Sequence, residues 1–277
     1  MKTAPPASAG PGLLERFLSE CGGVPGCRRC ADRDHYAGHI RMAFQPIVDI
    51  ATGGVYAHEA LVRGANGEGA GAVISAVSAD QIYSFDQTCR VAAIQTAVRA
   101  GIDTRLSINF MPNAVYDPAT CIRITLAAAE RYGFPTGNLI FEMTETEQIR
   151  DPEHALSIVR DYQARGFITA IDDFGAGFSG LNLLARFQPQ LVKLDMALTR
   201  DIDSDRVRHA IVDGVIKTCA SLGCGVVAEG VETLAEAEAL ADLGVRLFQG
   251  YLFARPALEV APPVDAAVVA TLQARCR

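Results

Sequence analysis

Short apolar runs rich in Val, Ile, Leu and Phe recur along the chain from Phe44 onward and alternate with longer amphipathic segments. Such runs are typical of buried strands, and the segments between them are typical of helices. Eight strands with intervening helices predict an α/β fold of the TIM (β/α)8 barrel type, built around one large core. The runs span 44–50, 55–63, 105–110, 138–145, 168–174, 191–195, 225–231 and 246–253.

The first two strands predict a departure from the regular barrel. Only the four residues 51–54, Ala-Thr-Gly-Gly, join them. A parallel crossover needs about a dozen residues, so these two strands should form an antiparallel hairpin. The predicted fold is therefore a modified barrel in which one strand runs backwards.

Three parts of the chain differ in composition. Residues 1–38 are predicted to be a Pro/Gly/Cys-containing tail with little regular structure beyond a short helix at 13–20. Residues 39–262 form the predicted barrel domain. Residues 263–277 are typical of a terminal helix, which packs on the barrel or on a partner.

The N-terminal tail carries the residue types of a tetrahedral zinc site, with a Cys-x-x-Cys pair at its centre. The candidate ligands are Cys21, Cys27, Cys30 and His35. The alternative is a loose tail with free thiols, because the spacing matches no familiar Cys₂His₂ site. The eight cysteines of the chain are irregularly spaced, which favours incidental thiols in a reducing compartment over a disulfide scaffold.

Composition narrows the function classes. The chain is 49% hydrophobic and 21% charged, which favours a globular fold. A net charge of -7 argues against a basic surface that binds duplex nucleic acid. No apolar run approaches the ~18 residues of a membrane span, and the start of the chain does not resemble a signal peptide. These features predict a cytoplasmic protein. Separately, the Gly-rich run 64–72 predicts a flexible loop.

Acidic and amide residues stand at the ends of the predicted strands. They are Glu59, Asn109, Glu142, Asp172, Asp173, Glu229 and Gln249. Any one of them alone is typical of a helix cap or a solvated loop charge. The carboxyl ends of barrel strands meet at one mouth, however, where converging carboxylates repel each other unless divalent cations bind. Hard oxygen ligands without clustered His or Cys favour Mg²⁺ or Mn²⁺ over zinc.

Two further side chains bear on this predicted site. Alternation along the second strand places Glu59, Leu61 and Arg63 on one face and turns His58 towards the helices. Lys193 ends the sixth strand. It either pairs with a buried aspartate such as Asp195 or stabilises charge that develops on an attacking water or a phosphoryl oxygen.

The motifs of the chain resemble those of the EAL-domain family of cyclic di-GMP phosphodiesterases. The matching segments run in order from about Ala43 to Pro256 and read FQPIVDI, EALVR, SINF, FEMTE, IDDFGAGFSGLNLL, LVKLD, VAEGVET and FQGYLFARP. The resemblance implies an EAL-type modified barrel with one antiparallel strand. It also implies two divalent cations, cyclic di-GMP as the substrate, linear pGpG as the product and a homodimer.

The resemblance also implies a role for individual residues. The ligands of the first cation are Glu59, Asn109, Glu142 and Asp172. Asp172 bridges to the second cation, which Asp173 and Glu229 help to hold. Lys193 aids the nucleophilic water. The catalytic set implied by the resemblance is Glu59, Asp172, Lys193 and Glu229. The substrate-binding set is Gln45, Leu61, Arg63 and Gln249, and Glu145 and Glu232 position the loop after the fifth strand.

One loop departs from the family pattern, in which DFGTGYSSL is usual. This chain has Ala176 and Gly180 there, which removes a hydroxyl and adds backbone freedom. A cyclic di-GMP receptor or protein-interaction module with little turnover is therefore an alternative.

A different Mg²⁺-dependent barrel enzyme would not explain the ordered motifs. A dinucleotide fold at Gly175–Gly180 is disfavoured by the two aspartates before it. Regulation by a protein partner also fits a chain with no recognisable sensor domain.

Overall fold

Eight strands close into a barrel in the computed structural model, which describes residues 12–21, 36–145, 149–177 and 180–276. The strands are β1 (Ile40–Asp49), β2 (Gly54–Gly64), β3 (Arg105–Asn109), β4 (Leu139–Thr144), β5 (Ile168–Phe174), β6 (Leu191–Leu194), β7 (Gly225–Ala228) and β8 (Leu247–Phe248). Pairing runs in order from β2 to β8, and β1 joins β8 to β2. The predicted modified TIM barrel is confirmed.

Strand β1 is the reversed strand. It pairs antiparallel with β2, where Gln45 lies opposite Glu59, and antiparallel with β8, where Val48 lies opposite Phe248. The other neighbours in the barrel pair in parallel. The short link at 51–54 thus forms the predicted hairpin, because it is too short to carry the chain back across the sheet.

Helices fill the spaces between strands and cover the barrel. They are α1 (Leu13–Glu20), α2 (Ala70–Ser75), α3 (Ile82–Arg99), α4 (Pro118–Tyr132), α5 (Pro152–Ala164), α6 (Gly180–Arg186), α7 (Met196–Thr199), α8 (Arg206–Leu222), α9 (Leu234–Asp242) and α10 (Ala266–Gln273). Several begin at an aspartate whose carboxylate accepts backbone N–H bonds, as Asp151 does from Glu153 and His154. Such caps satisfy amides that the first helical turn leaves unpaired.

Two local predictions were incomplete, and one short strand was not predicted. The last strand was expected over 246–253, but β8 ends at Phe248. The chain turns at Gly250, which packs so closely on Val231 that an added Cβ would clash with the Val231 carbonyl oxygen. The Gly-rich run expected to be a loop contributes its last residues to α2, and a two-residue strand β9, Ala257–Leu258, adds to β1 outside the barrel.

Apolar side chains pack in two layers. The larger layer lies between the strands and the helices that cover them. The smaller layer fills the barrel interior and consists of Ile47, Ala57, Ile140, Ala170, Leu191 and Val227. The barrel is therefore closed by a plug of apolar side chains and is not a channel.

Both ends of the described chain pack against the barrel domain. In α1, Leu14 and Phe17 are buried, and Glu20 pairs with Arg131 at 2.6 Å. In α10, Leu272 is fully buried. Cys21 ends α1 as a free thiol, whereas Cys27, Cys30 and His35 lie outside the described residues, so the zinc site stays a prediction.

No described helix combines the length and the apolar character that crossing a membrane requires. The division of the chain into the segments 1–38, 39–262 and 263–277 also stays a prediction.

Candidate active site

Six of the predicted site residues form a polar layer directly above the apolar plug of the barrel. Each of the six lies two residues from a plug residue on the same strand or its immediate extension. The pairs are Ala57 and Glu59, Ile140 and Glu142, Ala170 and Asp172, Leu191 and Lys193, Val227 and Glu229, and, on the reversed strand, Ile47 and Gln45. Because side chains alternate along a strand, both members of each pair face the interior.

Lys193 is the centre of this layer. Its Nζ lies 2.7 Å from Asp172 Oδ1, 2.8 Å from Glu229 Oε1, 2.9 Å from Glu142 Oε2 and 3.3 Å from Glu59 Oε2. Its side chain is 1% exposed. Asp195, the other partner considered from sequence, instead caps α7 by accepting the Ala197 amide. The lysine is thus the shared counter-charge of four carboxylates.

Amide side chains hold Glu59 from two sides. Asn109 Nδ2 donates to Glu59 Oε1 at 3.0 Å, and Gln249 Nε2 donates to Glu59 Oε2 at 2.7 Å. Gln249 also donates to Gln45 Oε1, and Gln45 donates to the carbonyl of Ala254. These bonds fix the Glu59 carboxylate, because each of its oxygens accepts a directed N–H bond.

Asp173 follows Asp172 directly, so regular alternation would turn the two side chains to opposite faces. The backbone of Asp173 instead adopts φ 54°, in the left-handed region that aspartate tolerates better than most residues. The pairing of β5 with β6 also shifts register between Ile171 and Phe174. This local irregularity brings both carboxylates to the same mouth.

Burial, together with the crowding of carboxylates, perturbs the pKa values in the site. Burial, opposed by Lys193, raises the pKa of Glu142 to about 8. Burial and the charge of Asp172 raise the pKa of Asp173 to about 6, and burial also raises the pKa of Glu229 well above its usual range. Burial opposes the charge of Lys193, but the surrounding carboxylates override it and raise the pKa of the lysine. Lys193 is therefore a cation in the cation-free site.

The acids fall into two groups whose ligand oxygens lie within 4.8 Å of one another. One group is Glu59, Glu142 and Asp172, and the other is Asp172, Asp173 and Glu229. Asp172 belongs to both groups. Two carboxylate groups that share one member have the arrangement expected of a pair of adjacent cation sites.

The donor set fits divalent cations. Five carboxylates against one ammonium leave four negative charges, which equals the charge of two divalent cations. The donors are oxygens, which suits Mg²⁺ and Mn²⁺. Gln249 Oε1 is buried and has no hydrogen-bond partner among the described residues, so it offers a further neutral oxygen.

A cavity of about 760 Å³ opens above this layer, within the usual range of roughly 300–1,000 Å³ for small-molecule sites. The predicted residues on one side are Gln45, Glu59, Leu61, Asn109, Asp172, Asp173, Glu229, Glu232 and Gln249. The other side is apolar and includes Ile74, Ile82, Phe85, Phe110, Met111 and Tyr251. The cavity thus joins a charged floor to an apolar wall.

Three predicted residues lie outside the hydrogen-bonded cluster around Lys193 and Glu59. Arg63 donates to the carbonyl of Val62 and does not line the cavity. Glu145 accepts the Gly175 amide at 2.7 Å, which ties it to the loop after β5. Glu232 lines the cavity and pairs with Arg200 at 3.0 Å.

Sequence reasoning missed the apolar wall and the residues behind it. Ile82, Phe85, Asp86 and Cys89 belong to α3 and line the cavity. Their i, i+3, i+4 and i+7 spacing is typical of one face of a helix. The local sequence does not indicate that this face borders the barrel mouth. Asp86 also accepts the Met111 amide just beyond Asn109.

Comparison with known proteins gives a consistent result. The family model described as EAL domain matches residues 31–256. The structure is similar to that of a standalone versatile EAL protein from Vibrio cholerae O395 in a c-di-GMP-bound form, with 50% identity and a TM-score of 0.81 over 84% of this chain and 98% of that chain. It is also similar to a manganese/cy-diGMP complex of Klebsiella pneumoniae BlrP1, with 34% identity and a TM-score of 0.75 over 89% of this chain and 66% of that chain.

Curated relatives extend the comparison. The blue light- and temperature-regulated antirepressor BluF of Escherichia coli is 32% identical over 80% of this chain and 56% of its own length. Other relatives from E. coli and Pseudomonas aeruginosa are named cyclic di-GMP phosphodiesterases or probable ones, at 30–38% identity. The chain spans about half the length, or less, of these curated relatives.

Proposed function

The chain belongs to the EAL domain family, and on that premise we propose that it is a phosphodiesterase that hydrolyses cyclic di-GMP to linear pGpG with two divalent cations, Mg²⁺ or Mn²⁺. The observation that carries the proposal is the pair of carboxylate groups sharing Asp172 at the floor of the cavity. Similar structures that contain c-di-GMP support the choice of substrate.

The residues of the chain have distinct parts in this reaction. Glu59, Asn109, Glu142, Asp172, Asp173 and Glu229 would hold the two cations. When bound, the cations activate water and neutralise charge on the phosphate oxygens. Lys193 supplies a fixed positive charge that lowers the cost of holding several carboxylates together. Asn109 and Gln249 keep Glu59 in one orientation.

The cavity has two chemical sides that match the two parts of the substrate. Cyclic di-GMP carries anionic phosphodiesters and planar purine bases. The phosphodiester is placed over the charged floor, and the purines lie against the apolar wall near Phe85 and Tyr251. Hydrolysis adds water across one P–O bond, so that the hydroxyl goes to phosphorus and the proton to the leaving oxygen. The product is the linear dinucleotide.

The test is incubation of the protein with cyclic di-GMP and Mg²⁺ or Mn²⁺, followed by chromatography of the products. We expect pGpG to form with either cation and to be abolished by EDTA. The Glu59→Ala variant should form no pGpG while keeping the circular-dichroism spectrum of the folded barrel. Metal-independent product, or wild-type turnover by the variant, would contradict the proposal.

A cyclic di-GMP receptor is the second candidate, because a relative that spans 80% of this chain is named an antirepressor rather than a phosphodiesterase. Tight binding of cyclic di-GMP without product would favour this function. The intact set of acids argues for turnover, since a receptor does not need two carboxylate groups at its floor. Homodimer formation and a regulatory protein partner stay predictions from the family resemblance.

A further inference from the structure

The loop that carries Glu229 is held by contacts from outside the barrel ladder. Strand β7 ends at Ala228, so Glu229 lies beyond its last residue. Thr199, the last residue of α7, donates its hydroxyl to the backbone carbonyl of Glu229 at 2.7 Å. Thr199 is 1% exposed, so water does not readily replace this bond.

Two neighbouring contacts press the same segments together. Gly230 has φ 62°, and an added Cβ there would lie 2.5 Å from Met196 Cβ. Arg200 pairs with Glu232 at 3.0 Å. The segment 196–200 therefore lies directly against the segment 229–232. Among the described residues, the bond from the Thr199 hydroxyl is the one hydrogen bond that joins segment 196–200 to the backbone of Glu229.

The conformational freedom of this loop explains why the bond matters. The Glu229 amide donates to the Leu194 carbonyl at 3.0 Å and the Val231 amide donates to the Gln249 carbonyl at 3.2 Å, so the backbone is held on both sides of the peptide between Glu229 and Gly230. Gly230 has no side chain to restrict its backbone, so the orientation of that peptide between the two bonds depends on what holds its carbonyl oxygen. Glu229 must reach Lys193 and lie near Asp172 and Asp173 at the same time. A small rotation of the backbone would move its carboxylate out of that arrangement.

We propose that Thr199 is a positioning residue, whose hydroxyl fixes the backbone of Glu229 and thereby sets the affinity of the second carboxylate group for a divalent cation. The proposal rests on the proposed function, since it takes Glu229 as a cation ligand. Residues that orient metal ligands typically change metal affinity about 10–100-fold when replaced.

The experiment compares two threonine-to-valine changes of identical chemistry. Thr199→Val removes the donor and keeps the shape. Thr125→Val is the matched control, because Thr125 is fully buried and its hydroxyl has no hydrogen-bond partner among the described residues. We expect Thr199→Val to bind Mn²⁺ about 10-fold more weakly at one of two sites in calorimetric titration, and Thr125→Val to match the wild type. Thr199→Ser, which keeps the hydroxyl, should restore affinity.

A readout without metal separates this inference from the proposed function. In EDTA, hydrogen exchange of the amides at 229–231 should be faster in Thr199→Val than in Thr125→Val. Unchanged exchange, unchanged Mn²⁺ affinity, or an equal loss in Thr199→Ser would overturn the positioning role. A different result is faster exchange in Thr199→Val together with no Mn²⁺ binding by the wild type. This result would overturn the proposed function. It would also overturn the role of Thr199 in cation affinity, because Thr199 would then hold only the backbone.

Discussion

Two buried cations, Lys193 and Arg90, show how differently one fold uses the same kind of group. Both side chains are almost fully buried, at 1% and 0% exposure. Lys193 lies among four carboxylates. Arg90 pairs with one, Asp86, at 2.8 Å, and donates to the Tyr162 hydroxyl at 2.8 Å. Its guanidinium also lies over three aromatic rings, those of Phe110, Phe141 and Tyr162.

The difference lies in charge balance and not in burial. The Arg90 centre has one positive and one negative group, and the aromatic faces stabilise the cation further, so it needs no additional ion. The Lys193 centre has five carboxylates for one ammonium, and burial together with the neighbouring carboxylates raises the pKa of Glu142 and of Glu229. A balanced buried pair is therefore expected to support the fold, whereas the unbalanced centre has the charge expected of a site for cationic ligands.

The strongest test of this comparison removes an acid from the unbalanced centre. Asp172→Asn takes the shared member from both carboxylate groups, so turnover of cyclic di-GMP should fall by at least about 10⁴-fold. The free energy of unfolding in EDTA should stay the same or rise, because one repelling charge is gone. Urea denaturation measures the second quantity. A large loss of stability would show that this centre serves the fold as the Arg90 centre does.

The reverse outcome is expected at the balanced centre. Arg90→Met replaces the guanidinium side chain with an apolar one of similar length and leaves Asp86 buried without its cation. Breaking a buried pair in this way costs about 3–5 kcal/mol of unfolding free energy. The control is the double variant Arg90→Met/Asp86→Leu, which removes both charges and should recover part of the loss. No recovery would mean that packing of the guanidinium, and not charge, stabilises this region.

The two centres also differ in how well the sequence revealed them. The Lys193 centre follows from local patterns, because strand ends and period-2 alternation place its acids on one inward face. The structure brings those residues together. The Asp86–Arg90 pair has the i, i+4 spacing of an ordinary surface pair on a helix. Only the packing of residues distant in sequence, such as Tyr162, buries it, and no local pattern encodes that packing.

Tertiary contacts also explain which parts of the barrel were predicted inaccurately. The hairpin was predictable because link length alone forbids a parallel crossover. The early end of β8 was not, because it depends on the close approach of Gly250 to Val231. The contact of Thr199 with Glu229 joins residues that are 30 positions apart, and a threonine at the end of a short helix carries no signal of it.

The pH dependence of stability should separate the two centres further. The pKa of Glu142 is about 8 in the folded protein and near 4.5 in a free side chain. The folded state thus keeps a proton that the unfolded chain has lost, so the unfolding free energy of the cation-free protein falls as pH rises from 4.5 to about 8. Melting temperatures in EDTA should drop by a few degrees over this range.

The control for this trend is Glu142→Gln, which removes one titrating group and should make the profile less steep, while Asp173 and Glu229, whose pKa values are also raised, keep part of the trend. Saturating Mn²⁺ should weaken or reverse the trend, because the cation replaces the proton as the partner of the carboxylate. A wild-type profile in EDTA that rises from pH 4.5 to 8 would contradict the interpretation of the Lys193 centre as unbalanced.

The smallest expected effect tests what holds Arg90. Tyr162→Phe keeps the aromatic face beside the guanidinium and removes the hydroxyl that accepts from Nη1, which should cost about 1–2 kcal/mol of unfolding free energy. Tyr132→Phe is the matched control, because its hydroxyl accepts from Gln95 at 3.1 Å in a half-buried setting and should cost less. Equal losses would imply that the aromatic faces and Asp86 alone stabilise Arg90. A larger loss at Tyr162 would show that the balanced centre depends on hydrogen bonds as well as on charge.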